Sequence, residues 1–236
     1  MEHTDFGADE FRARREKLIE AIGDQATAVV QGADAAEAMG SFRQWNEFYY
    51  LCGIEVPHAY LLVNGKSRRS TLFLPHASQV QAEHGQAVPS AEAPDLVKAL
   101  AGVDDVRGIE ALGSHVQHAK VAYTLLRPGQ GFNMTSGSIS TWYSGVLADP
   151  WDGRPHRAAQ FIADLRRRCP GIEVRELSPI LDELRLIKSA REIALLPLPS
   201  RQPRGARARL VAADLLGGPR TRCRVEYNVK RSCPQV

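Results

Sequence analysis

The stretch Ala59-Tyr60-Leu61-Leu62-Val63-Asn64-Gly65-Lys66-Ser67-Arg68-Arg69-Ser70-Thr71-Leu72-Phe73-Leu74 decides the fold class. Two runs rich in branched and aromatic residues, Ala59–Val63 and Ser70–Leu74, read as strands. Asn64-Gly65 opens a loop between them and Lys66–Arg69 forms its polar tip. The spacing predicts an antiparallel hairpin with a loop longer than the two-residue minimum. Outward from this hairpin the chain alternates between strand and helix signals. Ala28–Val30 and Phe48–Cys52 read as further strands on its N-terminal side. Before them, Asp9 is an N-cap candidate for a helix with an apolar stripe at Phe11, Leu18, Ile19 and Ile22, ended by Gly23.

On the C-terminal side a helix is expected near Asp95–Ala101 and a strand near Val106–Ile109. Ser114 caps a helix expected to run to about Leu126, where Arg127-Pro128-Gly129 stops it. Residues 129–154 are rich in Gly, Ser and Thr and show no clear period. A helix follows over Arg157–Arg168, closed by Cys169-Pro170-Gly171, and Ile172–Leu177 is the last strand. Alternating strands and helices argue for an α/β domain, and the hairpin argues for a mixed rather than purely parallel β-sheet flanked by helices.

The composition suits a globular chain. Of 236 residues, 44% are hydrophobic and 24% charged, which is too apolar and too mixed for a disordered protein. No apolar run approaches the length of a membrane span. The polar N-terminus lacks the apolar core of a secretory signal, so a cytoplasmic location is expected. Cys52, Cys169, Cys223 and Cys233 are scattered and form no C-x-x-C pair, so reduced thiols are expected rather than a disulfide framework or a zinc knuckle.

The net charge of +3 hides an asymmetry. Residues 197–236 hold nine Lys and Arg against two acids, Asp214 and Glu226, together with five of the fourteen prolines. Just before this tail, Pro179-Ile180-Leu181-Asp182-Glu183-Leu184-Arg185-Leu186-Ile187-Lys188-Ser189-Ala190-Arg191-Glu192-Ile193 is strongly helical. Pro179 suits a first helical position, and Ser189 with Glu192 has capping-box spacing for a second helix from Ala190. That helix meets Pro197 and Pro199 after barely two turns, a local inconsistency. Three segments are therefore expected: a domain over 8–176, a helical linker over 177–196, and a basic, irregular tail over 197–236.

Two motifs resemble one family. Phe42-Arg43-Gln44-Trp45-Asn46-Glu47-Phe48-Tyr49-Tyr50-Leu51-Cys52-Gly53, continued by Pro57-His58-Ala59-Tyr60-Leu61-Leu62, is similar to the R-Q-x-x-x-F-x-Y-L-x-G…P-x-A-x-L signature of the aminopeptidase P, or creatinase-like, N-terminal domain. Glu183–Ile193 resembles the E-L-R-x-I-K-S-x-x-E-I segment that enters the C-terminal pita-bread domain of that family. Ser70–Pro75 matches the hairpin return. The order and the separation of about 140 residues also fit, and the resemblance covers roughly residues 8–196.

The resemblance implies a mixed sheet with flanking helices that supports oligomerisation and shapes the mouth of an active site. It also implies the chemistry of the whole enzymes. Xaa-Pro aminopeptidases release an N-terminal residue that precedes proline, using two bridged divalent metals, commonly manganese, to activate a water. Prolidases and creatinase are relatives, so the substrate class stays open between an Xaa-Pro peptide, a dipeptide and a creatine-like molecule. The family's metal ligands, two Asp, one His and two Glu, lie in the pita-bread domain. After Leu196 this sequence has two acids and no histidine, and neither acid sits in a matching motif. The expectation is a chain that is silent as a catalyst on its own, without cofactor or metal. Its tail is then either an out-of-frame translation or a genuine extension. The alternative is a stand-alone module for oligomerisation or protein interaction.

Within the first motif, Arg43, Gln44, Trp45 and Tyr49 are the candidates for a substrate entrance or an interface. Arg43 and Gln44 fit a role in fixing loop geometry better than one in touching substrate. Phe48 and Tyr50 fit core packing, while Trp45 and Tyr49 divide evenly between packing and contact. His115 and His118 lie three apart, but two ligands make an incomplete metal site. His58, His76 and His84 sit on separate segments. Gly129-Gln130-Gly131 lacks the strand and helix context of a phosphate loop and reads as a flexible loop. Arg207, Arg209, Arg220, Arg222 and Arg224 offer phosphate contacts, yet Tyr227 is the one aromatic in the tail, so a solvated tail is favoured over nucleic-acid binding. The expected partners are family subunits or a second copy of the chain, with no membrane.

Overall fold

Six strands form one mixed sheet in a computed structural model that describes residues 6–34, 42–79, 89–130 and 136–195. The strands are β1 (Ala26–Gln31), β2 (Tyr60–Asn64), β3 (Arg69–Leu74), β4 (Asp105–Gly108), β5 (Val121–Thr124) and β6 (Glu173–Glu176). Their spatial order is β4-β3-β2-β1-β5-β6. β2 pairs antiparallel with both β1 and β3, and the other three pairings are parallel. The hairpin carries the antiparallel character, with Leu61 opposite Leu72 and Asn64 opposite Arg69. Asn64 Oδ1 accepts from Ser67 N at 2.9 Å inside its turn.

Eight helices accompany the sheet among the described residues: α1 (Ala8–Ile22), α2 (Asn46–Cys52), α3 (Pro94–Ala101), α4 (Leu112–Val116), α5 (Ser136–Ala148), α6 (Arg157–Arg168), α7 (Ser178–Leu186) and α8 (Ala190–Leu195). Strand side chains alternate between faces. One face sends Ala28, Val30, Leu61, Val63, Leu72 and Leu74 against Leu18 and Ile22 of α1, Phe48 and Leu51 of α2, Val97 of α3 and Leu181 of α7. The other sends Val29, Leu62, Phe73 and Ala122 against Val116 of α4 and Leu165 of α6. The described residues divide into two units, 6–184 and 185–195. In the second unit, α8 begins with the capping box that its sequence announces. Glu192 N donates to Ser189 Oγ at 3.1 Å, and Ser189 N donates to Glu192 Oε2 at 2.7 Å.

Three elements differ from expectation. Phe48–Cys52 lies in helix α2, not in a strand. Phe48, Leu51 and Cys52 are buried together at i, i+3 and i+4 spacing, so burial of one helical stripe overrides the strand preference of the aromatics. Gly53, at φ 67°, then ends the helix in the left-handed region. The helix expected over Ser114–Leu126 stops at Val116. Val121–Thr124 is instead inserted between β1 and β6 as a strand parallel to both. A strand in that position reads as an apolar run, which periodicity does not separate from a helix segment. The third is α5, inside the stretch without period. A smaller shift concerns α1, whose N-cap is Gly7. Asp9 sits within its first turn, where a negative charge faces the positive end of the helix. The basic tail and His84 lie outside the described residues.

Two arginines of α1 fasten this layer. Arg15 is 2% exposed. It donates to the Leu51 carbonyl at 2.7 Å, to Ala101 at 3.0 Å and to Gly102 at 2.5 Å, at the C-terminal ends of α2 and α3. Burial lowers its pKa to about 10. Arg14 donates to the Tyr50 carbonyl at 3.0 Å, and its guanidinium lies 4.4 Å from the centre of the Tyr50 ring.

Candidate functional site

The motif from Phe42 to Gly53 leads from an irregular loop into α2, and its polar side chains organise the surroundings. Gln44 is 4% exposed and uses both ends of its amide. Oε1 accepts from Ala33 N at 2.6 Å and from Trp45 N at 3.0 Å, while Nε2 donates to the Val56 carbonyl at 3.0 Å. The exit of β1 and the loop after α2 are thus clamped by one side chain. Arg43 is exposed and pairs with Glu55 at 3.4 Å.

Trp45 and Glu47 grip the segment that leaves β5. A Cβ on Gly129 would stand 2.4 Å from Trp45 Cδ2, so the indole lies directly on a glycine backbone and requires the missing side chain. Asn46 N donates to the Gln130 carbonyl at 2.8 Å, and Gln130 N donates to Glu47 Oε2 at 3.0 Å. The segment read as a flexible loop is held here by two hydrogen bonds, while Gly131 lies outside the described residues. Tyr49 is half-buried and meets the Phe11 ring edge-on, with centroids 6.3 Å apart. Tyr50 donates its hydroxyl to the Leu184 carbonyl at 3.2 Å. Phe48 is fully buried. All four candidates therefore make packing, hydrogen-bond or ion-pair contacts within the domain.

Beside this motif opens a crevice of about 180 Å³ lined by Glu47, Arg127, Gln130, Ser178 and Asp182, among others. It lies beyond the carboxyl ends of β5 and β6, the place where open α/β sheets bind ligands. Its lining holds two carboxylates and one guanidinium but no histidine or cysteine. Neither a nucleophile with its base nor a set of metal ligands is assembled there.

The histidines do not converge. His58 takes a left-handed conformation at φ 58°, and Arg157 Nη1 lies 3.4 Å from its Nδ1. Burial, reinforced by the Arg157 charge, holds its pKa below the ordinary value. His76 contacts Glu92 at 2.5 Å and Glu110 at 3.3 Å. The hydrogen bond to Glu92 raises the His76 pKa and brings that of Glu92 down to about 2. His115 donates to the Ala111 carbonyl at 2.8 Å and meets the Phe73 ring edge-on at 5.1 Å. His118 falls beyond the end of α4. Among the described residues no group of three or more His, Cys, Asp or Glu is disposed to hold a metal ion, so a dinuclear site does not fit them.

Residues 11–124 match the family described as aminopeptidase P, N-terminal domain. These residues are an aminopeptidase P N-terminal domain. Solved aminopeptidase P structures share the fold. A structure described as a putative aminopeptidase P from Bacillus anthracis is 19% identical, with a TM-score of 0.57 over 80% of this chain and 42% of that one. Aminopeptidase P from Escherichia coli with the inhibitor Pro-Leu is 18% identical, with a TM-score of 0.53 over 81% and 41%. A zinc-substituted form of the E. coli enzyme in complex with product is 18% identical, with a TM-score of 0.54 over 81% and 41%. The chain thus spans about two fifths of the length of these aminopeptidase P structures. No curated protein matches it.

Sequence reasoning passed over Glu47 and Gln130 as partners. Glu47 stands inside the quoted motif, but the atom it accepts from lies 83 residues away.

Proposed function

We propose that this chain serves as the N-terminal domain of a dinuclear-metal hydrolase of the Xaa-Pro aminopeptidase type, whose reaction is release of an N-terminal residue that precedes proline. The observation that carries this reading is the family match over residues 11–124 on a sheet shared with solved aminopeptidases P. Within that assignment the motif from Arg43 to Tyr49 acts as scaffold. Gln44 and Glu47 fix the loops beside the crevice, and Trp45 closes over Gly129. Catalysis by the family needs two metal ions, commonly manganese, and the described residues offer no group to hold even one. The 236 residues on their own are proposed to be inactive.

The setting proposed is the cytoplasm, where the buried thiols of Cys52 and Cys169 would stay reduced. No helix among the described residues is long and apolar enough to cross a membrane.

Two measurements test the proposal. The purified chain, given an Xaa-Pro peptide and manganese, is expected to release no N-terminal residue; metal-dependent turnover would overturn the assignment of a non-catalytic role. Genomic DNA downstream of the Leu196 codon is expected to encode a pita-bread sequence in one of its three frames. The absence of such a frame would favour the stand-alone interaction module instead.

A further inference from the structure

Alternation along the strands sends Leu62 and Asn64 of β2, Arg69 and Thr71 of β3, and Asp105 and Arg107 of β4 to the face that carries Phe73. Helices α4 and α6 pack on that face around Phe73 and Ala122 and leave its β3–β4 corner open. These six residues line a cleft of about 430 Å³ there, within the range of small-molecule sites. His115 of α4 and Lys98 of α3 bound it on either side, and Ser67 and Asp104 complete the rim. The cleft lies at the amino ends of β3 and β4, so it is at the opposite end and the opposite edge of the sheet from the crevice beside Glu47.

The two carboxylates of the cleft are engaged by the protein itself. Asp104 Oδ2 accepts from Ser70 N at 2.7 Å and from Ser70 Oγ at 2.9 Å. Asp105 Oδ2 accepts from Arg107 Nε at 2.8 Å, and Lys98 Nζ lies 3.9 Å from its Oδ1. The guanidinium groups are not used up in the same way. Arg107 commits Nε to Asp105, and its terminal nitrogens have no partner among the described residues. Arg69 has neither an ion pair nor a side-chain hydrogen bond among them. Thr71, 8% exposed on the floor, has a hydroxyl without a partner among them. Thr71 stands opposite Asp105, and Arg69 and Arg107 enter the cleft from either end of that pair. Lys66 and Arg68 at the hairpin tip extend the positive field that draws anions toward it.

We propose that this cleft binds a phosphate-bearing small molecule, whose phosphoryl oxygens bridge Arg69 and Arg107 above Thr71. A guanidinium fork matches phosphate oxygens in pairs. Cations arriving from β3, β4 and α3 suit a dianion with three acceptor oxygens better than a planar carboxylate with two. Asp105 holds Arg107 and Lys98 in place before the ligand arrives, which lowers the cost of ordering them. The lining contains no Phe, Tyr or Trp on which a base could stack, so recognition rests on the phosphate group and not on a nucleobase. The tail is not the occupant, since residues 197–236 carry nine Lys and Arg against two acids. The proposal stands on the sheet alone and is independent of the hydrolase reading.

Titration of the full 236-residue chain with pyrophosphate, followed by amide NMR in about 0.1 M chloride, tests this. The amides of Thr71 and Asp105 are expected to shift together, with a Kd of about 1 mM or tighter. Arg69→Gln and Arg107→Gln should each weaken binding by about tenfold, and Arg107→Lys by about threefold, because it keeps the charge but loses the fork. Both arginines are exposed, so the circular dichroism spectrum should not change. Arg207→Gln with Arg209→Gln, in the tail, should leave the Kd as it is. Absence of shifts at Thr71 and Asp105 up to about 20 mM pyrophosphate overturns the proposal. So does an unchanged Kd in Arg69→Gln or in Arg107→Lys, or a loss of binding in the tail variant, either of which would show diffuse attraction to positive charge. Succinate bound as tightly as inorganic phosphate would overturn the choice of phosphate.

Discussion

The Arg15 guanidinium donates to the carbonyl of Leu51 at 2.7 Å, and two further carbonyls, of Ala101 and Gly102, share the same fork. A cation is thereby set at the carbonyl ends of two helices at once, where their dipoles favour positive charge. Replacing Arg15 by Met keeps the bulk but leaves buried carbonyls unpaired. A loss of about 3 kcal/mol is expected in urea unfolding, with Arg15→Lys intermediate because an ammonium lacks the planar fork. Equal stability of the wild type and Arg15→Met would refute the bridging role.

Gln44 offers a second test of polar clamping. Gln44→Ala removes partners from Ala33 N, Trp45 N and the Val56 carbonyl, and is expected to cost about 2 kcal/mol. The loop before α2 should become more accessible to protease, read by limited proteolysis and mass spectrometry. An unchanged cleavage pattern would show that the loop holds without it.

His76 and Glu92 set a pH dependence. The folded pKa of His76 is raised above 6.5, so its contribution is complete below that pH and is lost as pH climbs through the folded value. The folded pKa of Glu92 is depressed from 4.5 to about 2, so its contribution is present above 4.5 and is lost as pH falls toward 2. Both contributions coexist between about pH 4.5 and 6.5. Glu92→Gln should lower the midpoint of the His76 ring titration followed by NMR. The stability difference from the wild type should be largest in that window, and small because the pair is open to solvent. A His76 midpoint that does not move would refute the pairing.

Cys52 supplies a chemical prediction. Burial pushes its thiol up to about 12, far from the reactive thiolate range. Iodoacetamide at about pH 8 should leave Cys52 unmodified in the native protein and alkylate it once urea unfolds the chain, as read by peptide mass spectrometry. Native-state labelling at Cys52 would show that α2 opens.

The legible parts of this fold were those written in local pattern. The β2–β3 hairpin, the amphipathic α6 and the capping box of α8 each carry their signal within about a dozen residues. The misread elements depended on partners far away. Phe48–Cys52 becomes helix because one stripe faces the sheet, and Val121–Thr124 becomes strand because a slot between β1 and β6 receives it. In the candidate site, the type of residue was visible but its contacts were not. Gln44 finds Ala33 and Val56 at separations of 11 and 12 residues, and no periodicity encodes them.

The long reach of Arg15 also bears on how the chain is made. Helix α1 emerges from the ribosome ahead of its acceptors, because the carbonyls it must bridge come 36 and 87 residues later. At ordinary rates of translation the guanidinium waits about 4–17 s for its last acceptor. Two of the three bonds of Arg15 therefore cannot form during synthesis until Ala101 and Gly102 have emerged, and until then α1 is tied to α2 alone.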